Sequence, residues 1–429
     1  MRAGDPNLTN VLSTFGLSNT DWPQAGRGKV HALVLDAAQR QALVATRELG
    51  RAGLGVCAVE CQAGAPAFAS RWCTVSSILP DFAQQPDAFV DALLGVCAGH
   101  HPQALIPSHD GAIEALRGRR ADVQRAVGLA LASEEALAIA IDKTRTLATA
   151  SALGLRVPRG AAVTEAGEAE SALQEVGLPA VVKPARSWAQ ESGSGQRLIS
   201  VPATTRAAAL AAVDAVLEEG LTALVQEWLP GERQAVSLLY ARGQVWARFA
   251  QRTTRTAPPL GGSSVWRESI PLPPDITRDA ERLVVEIDLE GYSEVEFRRD
   301  AEGRAALMEV NPRLSASVEV AVRAGLSFPR LLYNWASGER LEELRGYRTG
   351  ERMRWLGGDL SWLKTVLTNQ GQPDAPARSQ AVGAFLGDFL HPTSYDYLDL
   401  HDPRPALEAV AGAVRKVGRR AARKWVPST

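Results

Sequence analysis

The chain has 429 residues, 45% of them hydrophobic and 22% charged, a balance typical of folded globular proteins and far from that of disordered ones. Lysine plus arginine (47) nearly cancels aspartate plus glutamate (48), so no global field points to nucleic acid or an anionic membrane as partner. The length exceeds what one ordinary core serves, and two or three packed units are expected.

Residues 1–25 read as a polar leader without the apolar stretch of a secretory signal. No uninterrupted run of roughly 18 apolar residues occurs, which argues against a membrane span and makes the cytoplasm the expected location. Residues 26–140 alternate strand and helix patterns. Val30–Leu35, Gly55–Cys61, Trp72–Leu79 and Ala104–Pro107 read as strands, and Asp87–Cys97 as a helix. That alternation predicts a parallel α/β sheet, a Rossmann-like first domain. The turn Asp36-Ala37-Ala38-Gln39 lacks the glycines that admit a dinucleotide pyrophosphate, which argues against NAD. His109 and Asp110, after the fourth strand, fall at the sheet edge where ligands collect; Asp110 can equally be a helix cap. Cys57, Cys61, Cys73 and Cys97 have no zinc-ligand spacing and read as reduced core thiols.

From Ile141 the pattern changes to mixed helices and strands with glycine-rich loops, an α+β arrangement spanning residues 141–340. Lys183 ends the apolar strand Val181–Lys183, where a surface lysine is out of character and a fixed cation can meet a phosphate. Ser192-Gly193-Ser194-Gly195 can form a flap that offers backbone N–H groups to phosphate oxygens, although many hairpin loops share that composition. Gln226-Glu227-Trp228-Leu229-Pro230-Gly231-Glu232 reads as a strand running into a turn. As a hinge it can present main-chain groups to an adenine edge, wall the ring with Trp228 or Leu229 and reach ribose hydroxyls with Glu232; it can also be an ordinary turn.

Ser293–Phe297 and Ala305–Val310 read as two strands joined by the turn Asp300–Gly303, which sets Glu296 beside Glu309 and Asn311 two residues further along. Two carboxylates and an amide oxygen make a hard-oxygen set suited to magnesium, whereas facing carboxylates without a counter-charge repel each other. Residues 341–429 are expected as a C-terminal extension packed on the preceding unit. They contain a Gln/Pro/Ala-rich break at Asn369–Arg378 and a basic end, Arg415–Lys424, that reads as a solvated helix face.

Asp142-Lys143, Val182-Lys183-Pro184, Gln226–Glu232, Glu296-Phe297 and Glu309-Val310-Asn311-Pro312-Arg313, in this order, resemble the ATP-grasp superfamily, nearest its carbamoyl-phosphate-synthase-like and carboxylate–amine ligase members. The resemblance covers about residues 141–330. It implies a Rossmann-like pre-ATP-grasp domain followed by an α+β ATP-grasp fold with a lid at about 145–225. It implies ATP and Mg2+ as cofactors, with Lys143 and Lys183 on the phosphates, Glu227, Trp228 and Leu229 on adenine, and Glu232 on ribose. Glu296, Glu309 and Asn311 would hold magnesium, and Arg313 would steady the transferred phosphoryl group. Related ligases also imply a substrate role for Arg255, Gly261, Gly262, Ser315 and Ser317, a stretch that reads equally as a plain loop. The implied activity is ligation of a small-molecule carboxylate to an amine through an acylphosphate. Neither nucleic acid nor membrane is an expected partner, and a homodimer is allowed. The alternatives are carboxylate phosphorylation or carboxylation on the same fold, or a catalytically silent nucleotide-binding regulator.

Overall fold

The computed structural model describes residues 28–191, 194–259, 262–368 and 376–424. The polar leader, Ser192, Gly193, Gly261 and most of the Gln/Pro/Ala-rich break lie outside the described residues, as do the side chains of Ser194 and of residues 416–424 in the basic end.

Five parallel strands open the chain: β1 (Ala32–Val34), β2 (Val56–Glu60), β3 (Cys73–Ile78), β4 (Ala104–Ile106) and β5 (Gly128–Leu129), in the order β3-β2-β1-β4-β5. In β1, β2 and β4 the apolar runs are continuous because both faces are covered, while β3 at the sheet edge is half-exposed. Leu33, Cys57 and Leu105 face one core, while Ala32, Val34, Val56 and Ile106 face a second that continues into Leu239, Phe249, Tyr292 and Phe328 further along the chain. The first sheet therefore shares its interior with the segments that follow. The parallel alternation expected from the sequence is present, with each strand shorter than its apolar run. All four cysteines are free thiols; Cys57, Cys73 and Cys97 are buried.

A second sheet is antiparallel and small. It contains β6 (Gly160–Val163) and β7 (Ala180–Pro184); the hairpin β8 (Trp188–Glu191) and β9 (Ser194–Arg197) stands apart; β10 (Val201–Ala203) and β11 (Ala223–Glu227) complete the order β10-β7-β11-β6. Val163, Val182, Val213 and Val225 form its separate core with the two helices Ala169–Val176 and Arg206–Leu217.

The third sheet is built from β12 (Arg233–Ala241), β13 (Gln244–Ala257), β14 (Ser263–Ile270), β15 (Gly291–Arg299), β16 (Ala305–Asn311), β17 (Arg352–Arg354) and β18 (Ser394–Tyr395), in the order β16-β15-β12-β13-β14-β17-β18. The last two strands come from the C-terminal section, which extends the sheet edge and is tied down by buried ion pairs. Asp396 holds both Arg40 and Arg267, and Asp402 holds Arg47 at 2.9 Å. Among the described residues no helix is long and apolar enough to cross a membrane.

Candidate functional site

A cavity of about 800 Å3 lies where the second and third sheets approach each other. Its floor follows from strand alternation. On β15, Glu294, Glu296 and Arg298 line the cavity, while Val295 and Phe297 point into the core. On β16 the alternation is broken: Met308, Glu309 and Asn311 line the cavity, and Leu307 and Val310 are core. The register explains it, because Glu296 pairs with Glu309 but Phe297 pairs with Leu307, leaving Met308 as the extra residue of a β-bulge. Without that bulge Leu307 and Glu309 would share a face.

Glu296 and Glu309 lie on neighbouring strands, as expected, and the bulge makes them direct cross-strand partners, with their repulsion offset by cations. Arg233 reaches Glu296 at 2.5 Å, Asn311 Nδ2 donates to Glu296 Oε1 at 3.2 Å, and Lys143 Nζ stands 3.7 Å from Glu309 and donates to Ser187 Oγ at 3.0 Å. Burial raises Glu296 to about 7, with Arg233 opposing. Burial also works against ionisation of Glu309, but Lys143, Lys183 and Arg233 together hold it below the ordinary carboxylate value. Lys183 is buried on the cavity side of β7; burial lowers it to about 8, partly countered by Glu309. The donor set Glu296, Glu309 and Asn311 consists of hard oxygens on adjoining strands and fits a magnesium ion.

The hinge segment lines the same cavity through Glu227–Glu232, whereas Gln226 is buried away from it. Two of the hinge N–H groups expected to face a ligand already donate within the protein: Glu227 N to Arg159 O at 2.9 Å and Trp228 N to Pro179 O at 3.3 Å. The Glu227 carboxylate accepts from Arg159, and the Arg298 guanidinium lies 4.2 Å over the Trp228 ring. Glu232 Oε2 accepts from Gln234 at 2.6 Å, and it is Arg233, one residue on, that enters the carboxylate pair.

Other expectations require correction. His109 does not line the cavity; its ring packs against Phe82 and Trp188, its Nδ1 caps the helix Asp110–Gly118 by accepting from Gly111 N, and burial lowers it to about 4, which leaves it neutral. Asp110 is not that helix's cap and faces a second, smaller cavity; both its oxygens accept from Arg313, at 2.5 and 3.0 Å. Arg313 lines the main cavity with its guanidinium thus engaged. Arg255 also lines it, but Asp359 grips it through two bonds of 2.8 Å and Asp388 takes a third, so its charge is committed to the C-terminal section. Gly195 N donates to Ala83 O at 2.7 Å instead of facing the cavity floor. Ser315 and Ser317 line the cavity, with hydroxyls joined in a buried chain running from Ser237 through Tyr292 to Glu294. Gly262 stands where a side chain has no room, since an added Cβ would meet Ala257 at 2.1 Å.

Glu294, Arg233, Met308 and Ser187 were missed. Glu294 had a signal, because it lies two residues before Glu296 and so on the same strand face. Met308 had none, because a bulge has no reliable sequence mark.

A family model described as "ATP-grasp in the biosynthetic pathway with Ter operon" matches residues 220–358. The D-alanine–D-alanine ligase of Ectopseudomonas mendocina is 30% identical over 213 residues, covering 46% of this chain and 64% of that protein. The formate-dependent phosphoribosylglycinamide formyltransferase of Synechococcus is 32% identical over 212 residues, covering 49% of each. The chain thus spans less than two thirds of the length of these curated relatives. Among solved structures, a biotin carboxylase from Campylobacter jejuni superposes with a TM-score of 0.61 at 17% identity, covering 76% of this chain and 74% of that one. That likeness defines the class: the fold is ATP-grasp. The matched family model and the two curated relatives are each similar to part of this chain.

Proposed function

We propose that this protein uses ATP and magnesium to activate a small-molecule carboxylate and join it to an amine, on an amino acid or short peptide. The observation that carries the reading is the facing pair Glu296 and Glu309 at the floor of a cavity that also presents Lys143 and Lys183. A structural pair has no use for two opposed carboxylates with two lysines aimed at the same space.

In this reading Glu296, Glu309 and Asn311 hold magnesium, whose bound charge stabilises the phosphoryl group in transfer. Lys143 and Lys183 neutralise the ATP phosphates. The Leu229 N–H, which has no partner among the described residues, faces the adenine edge, and Glu232 serves the ribose. A substrate carboxylate oxygen attacks the γ-phosphorus, the bond to the β–γ bridging oxygen breaks, and ADP leaves with the electron pair. The amine nitrogen then attacks the acyl carbon, the carbon–oxygen bond to phosphate breaks, and the surplus proton passes to water. Positioning and charge neutralisation are most of what such a transfer needs. Arg313, oriented by Asp110, borders the phosphoryl group, and Ser315, Ser317 and Gly262 border the acyl substrate. Arg255 reaches that substrate only if it leaves Asp388. The first parallel sheet, over 26–140, acts as a Rossmann-like pre-ATP-grasp domain, residues 145–225 as the lid, and 341–429 as an extension that closes one cavity wall.

The test is a screen of carboxylates and amines for ADP release, with mass spectrometry of the condensed product. ADP formed with an amide product supports ligation. ADP formed without amine incorporation points to carboxylate phosphorylation or carboxylation, and ATP binding without any ADP points to a silent nucleotide binder.

A further inference from the structure

The smaller cavity, of about 320 Å3, adjoins the main one. Lys143, Ser187, Glu309 and Asn311 line both, so the two spaces meet at the phosphate end of the site. Ile113 and Glu114 of the helix Asp110–Gly118 and the turn Glu219-Gly220-Leu221 line the smaller cavity and not the larger.

The two cavities carry opposite charge. Basic side chains outnumber acidic ones around the large cavity, where Lys183, Arg197, Arg233, Arg298 and Arg313 add to Lys143. Around the small one, Asp110, Glu114, Glu219 and Glu309 face only Lys143 and Arg186. Most of these charges are paired: Asp110 with Arg313, Glu114 with Arg117, and Arg186 with Asp142. The half-buried Glu219 carboxylate, which lines the smaller cavity and not the larger one, has no partner among the described residues, so its charge is uncompensated. A cleft of one sign with low-dielectric walls concentrates ligands of the other sign.

We infer that the smaller cavity is the port through which a cationic amine reaches the activated carboxylate, while ATP and the carboxylate occupy the larger one. The inference rests on the ligase reading above and adds the route and charge of the second substrate. The cavity's size suits an amine no larger than an amino acid. The ammonium releases one proton to water where the cavities meet, its nitrogen attacks the acyl carbon, phosphate leaves with the carbon–oxygen electron pair, and the second surplus proton passes from the nitrogen to the departing phosphate or water. Entry from this side lets the large cavity stay closed over the acylphosphate, which limits hydrolysis.

The experiment uses the full chain with a carboxylate that supports ADP formation and two nucleophiles: glycinamide, largely a cation at about pH 7, and hydroxylamine, which is uncharged there. Glu219→Lys should raise the KM for glycinamide about three- to tenfold, the range for reversing one partly exposed charge. Glu219→Gln should raise it less, and neither should change the KM for hydroxylamine or ATP. For the wild type, the glycinamide KM should climb with salt while the hydroxylamine KM stays fixed. A glycinamide KM that does not move, an equal rise for hydroxylamine, or refusal of glycinamide where hydroxylamine is accepted overturns the port while leaving the ligase reading intact. Absence of ADP formation by the wild type with every carboxylate is the different result that defeats the ligase reading itself.

Discussion

Glu296 and Glu309 stand opposite each other on β15 and β16, and each is matched to a different cation: Arg233 lies 2.5 Å from Glu296, and Lys143 Nζ lies 3.7 Å from Glu309. The two carboxylates therefore belong to one charge network on the floor of the main cavity.

If both hold magnesium, changing either to Gln keeps the shape and removes a hard anionic ligand. Each single variant should be nearly inactive at low magnesium, with extra magnesium restoring binding better than rate. The double variant should be little worse than the poorer single one, because groups acting as a unit are not additive. ADP formation measured against magnesium concentration checks this, and an unchanged magnesium dependence in either variant would remove the pair from the site.

That the two glutamates sit on neighbouring strands was legible in the sequence because the short turn Asp300–Gly303 makes a hairpin; the turn's register alone would set Met308 opposite Glu296, and the bulge brings Glu309 there instead. The same logic yielded Lys183 and the parallel alternation of the first sheet. It failed where contacts join distant segments. Arg255 reads as a free loop cation until Asp359, 104 residues later, folds against it. Asp110 and Arg313 are 203 residues apart, so nothing local in the sequence shows that they bind each other. The bulge at Met308 is likewise invisible to a period-2 reading, which keeps Leu307 and Glu309 on one face.

Lys183 carries a pH signature. Burial lowers it to about 8 from 10.5, so the unfolded chain binds this proton more tightly than the folded one. Stability then rises with pH between those values, and the cost of burying the charge is full below about pH 8. Lys183→Met should therefore raise the urea midpoint over wild type most below pH 8, with the gain shrinking toward pH 10.5. The same variant should lose about 10²–10³ in turnover, the scale for deleting one preorganised electrostatic contact. Urea titrations at about pH 7 and pH 10 check the first claim, and equal gains at both would contradict it.

Asp110 and Arg313 give the opposite slope. Burial opposes ionisation of Asp110, but Arg313 overrides it and holds the carboxyl well below its ordinary 3.8. A depressed folded value means stability that is present above the unfolded value and lost as pH falls below it. Asp110→Asn should cost about 3–5 kcal/mol at neutral pH by leaving the Arg313 guanidinium unpaired. The deficit should close in acid as the wild-type carboxylate is protonated in the unfolded chain, and Asp110→Asn with Arg313→Met should recover part of it. Thermal unfolding across pH 3 to 7 checks the slope; a deficit independent of pH would assign the loss to packing.

The last expectation separates anchoring from substrate binding at Arg255. Asp359 is fully buried and is shared by Arg255, through two bonds of 2.8 Å, and Arg354, at 2.6 Å. Asp388 also meets Arg255, and its side chain retains 16% exposure. Asp359→Asn would leave two guanidinium groups facing a neutral amide, so a loss of about 3–5 kcal/mol is expected. Asp388→Asn leaves the Asp359 fork intact and should cost less than about 1.5 kcal/mol, close to the value of one ordinary bond. Its consequence for substrate is the informative one. If Arg255 only ties β13 to the C-terminal section, Asp388→Asn leaves the KM for the carboxylate unchanged. If Arg255 also receives that carboxylate, freeing it from Asp388 should lower that KM while the KM for ATP stays fixed, and Arg255→Lys, which loses the fork, should raise it. The structure favours the anchoring outcome, since Asp359, Asp388 and the rings of Trp266 and Trp362 already surround the guanidinium. A lowered carboxylate KM in Asp388→Asn would return Arg255 to the substrate site.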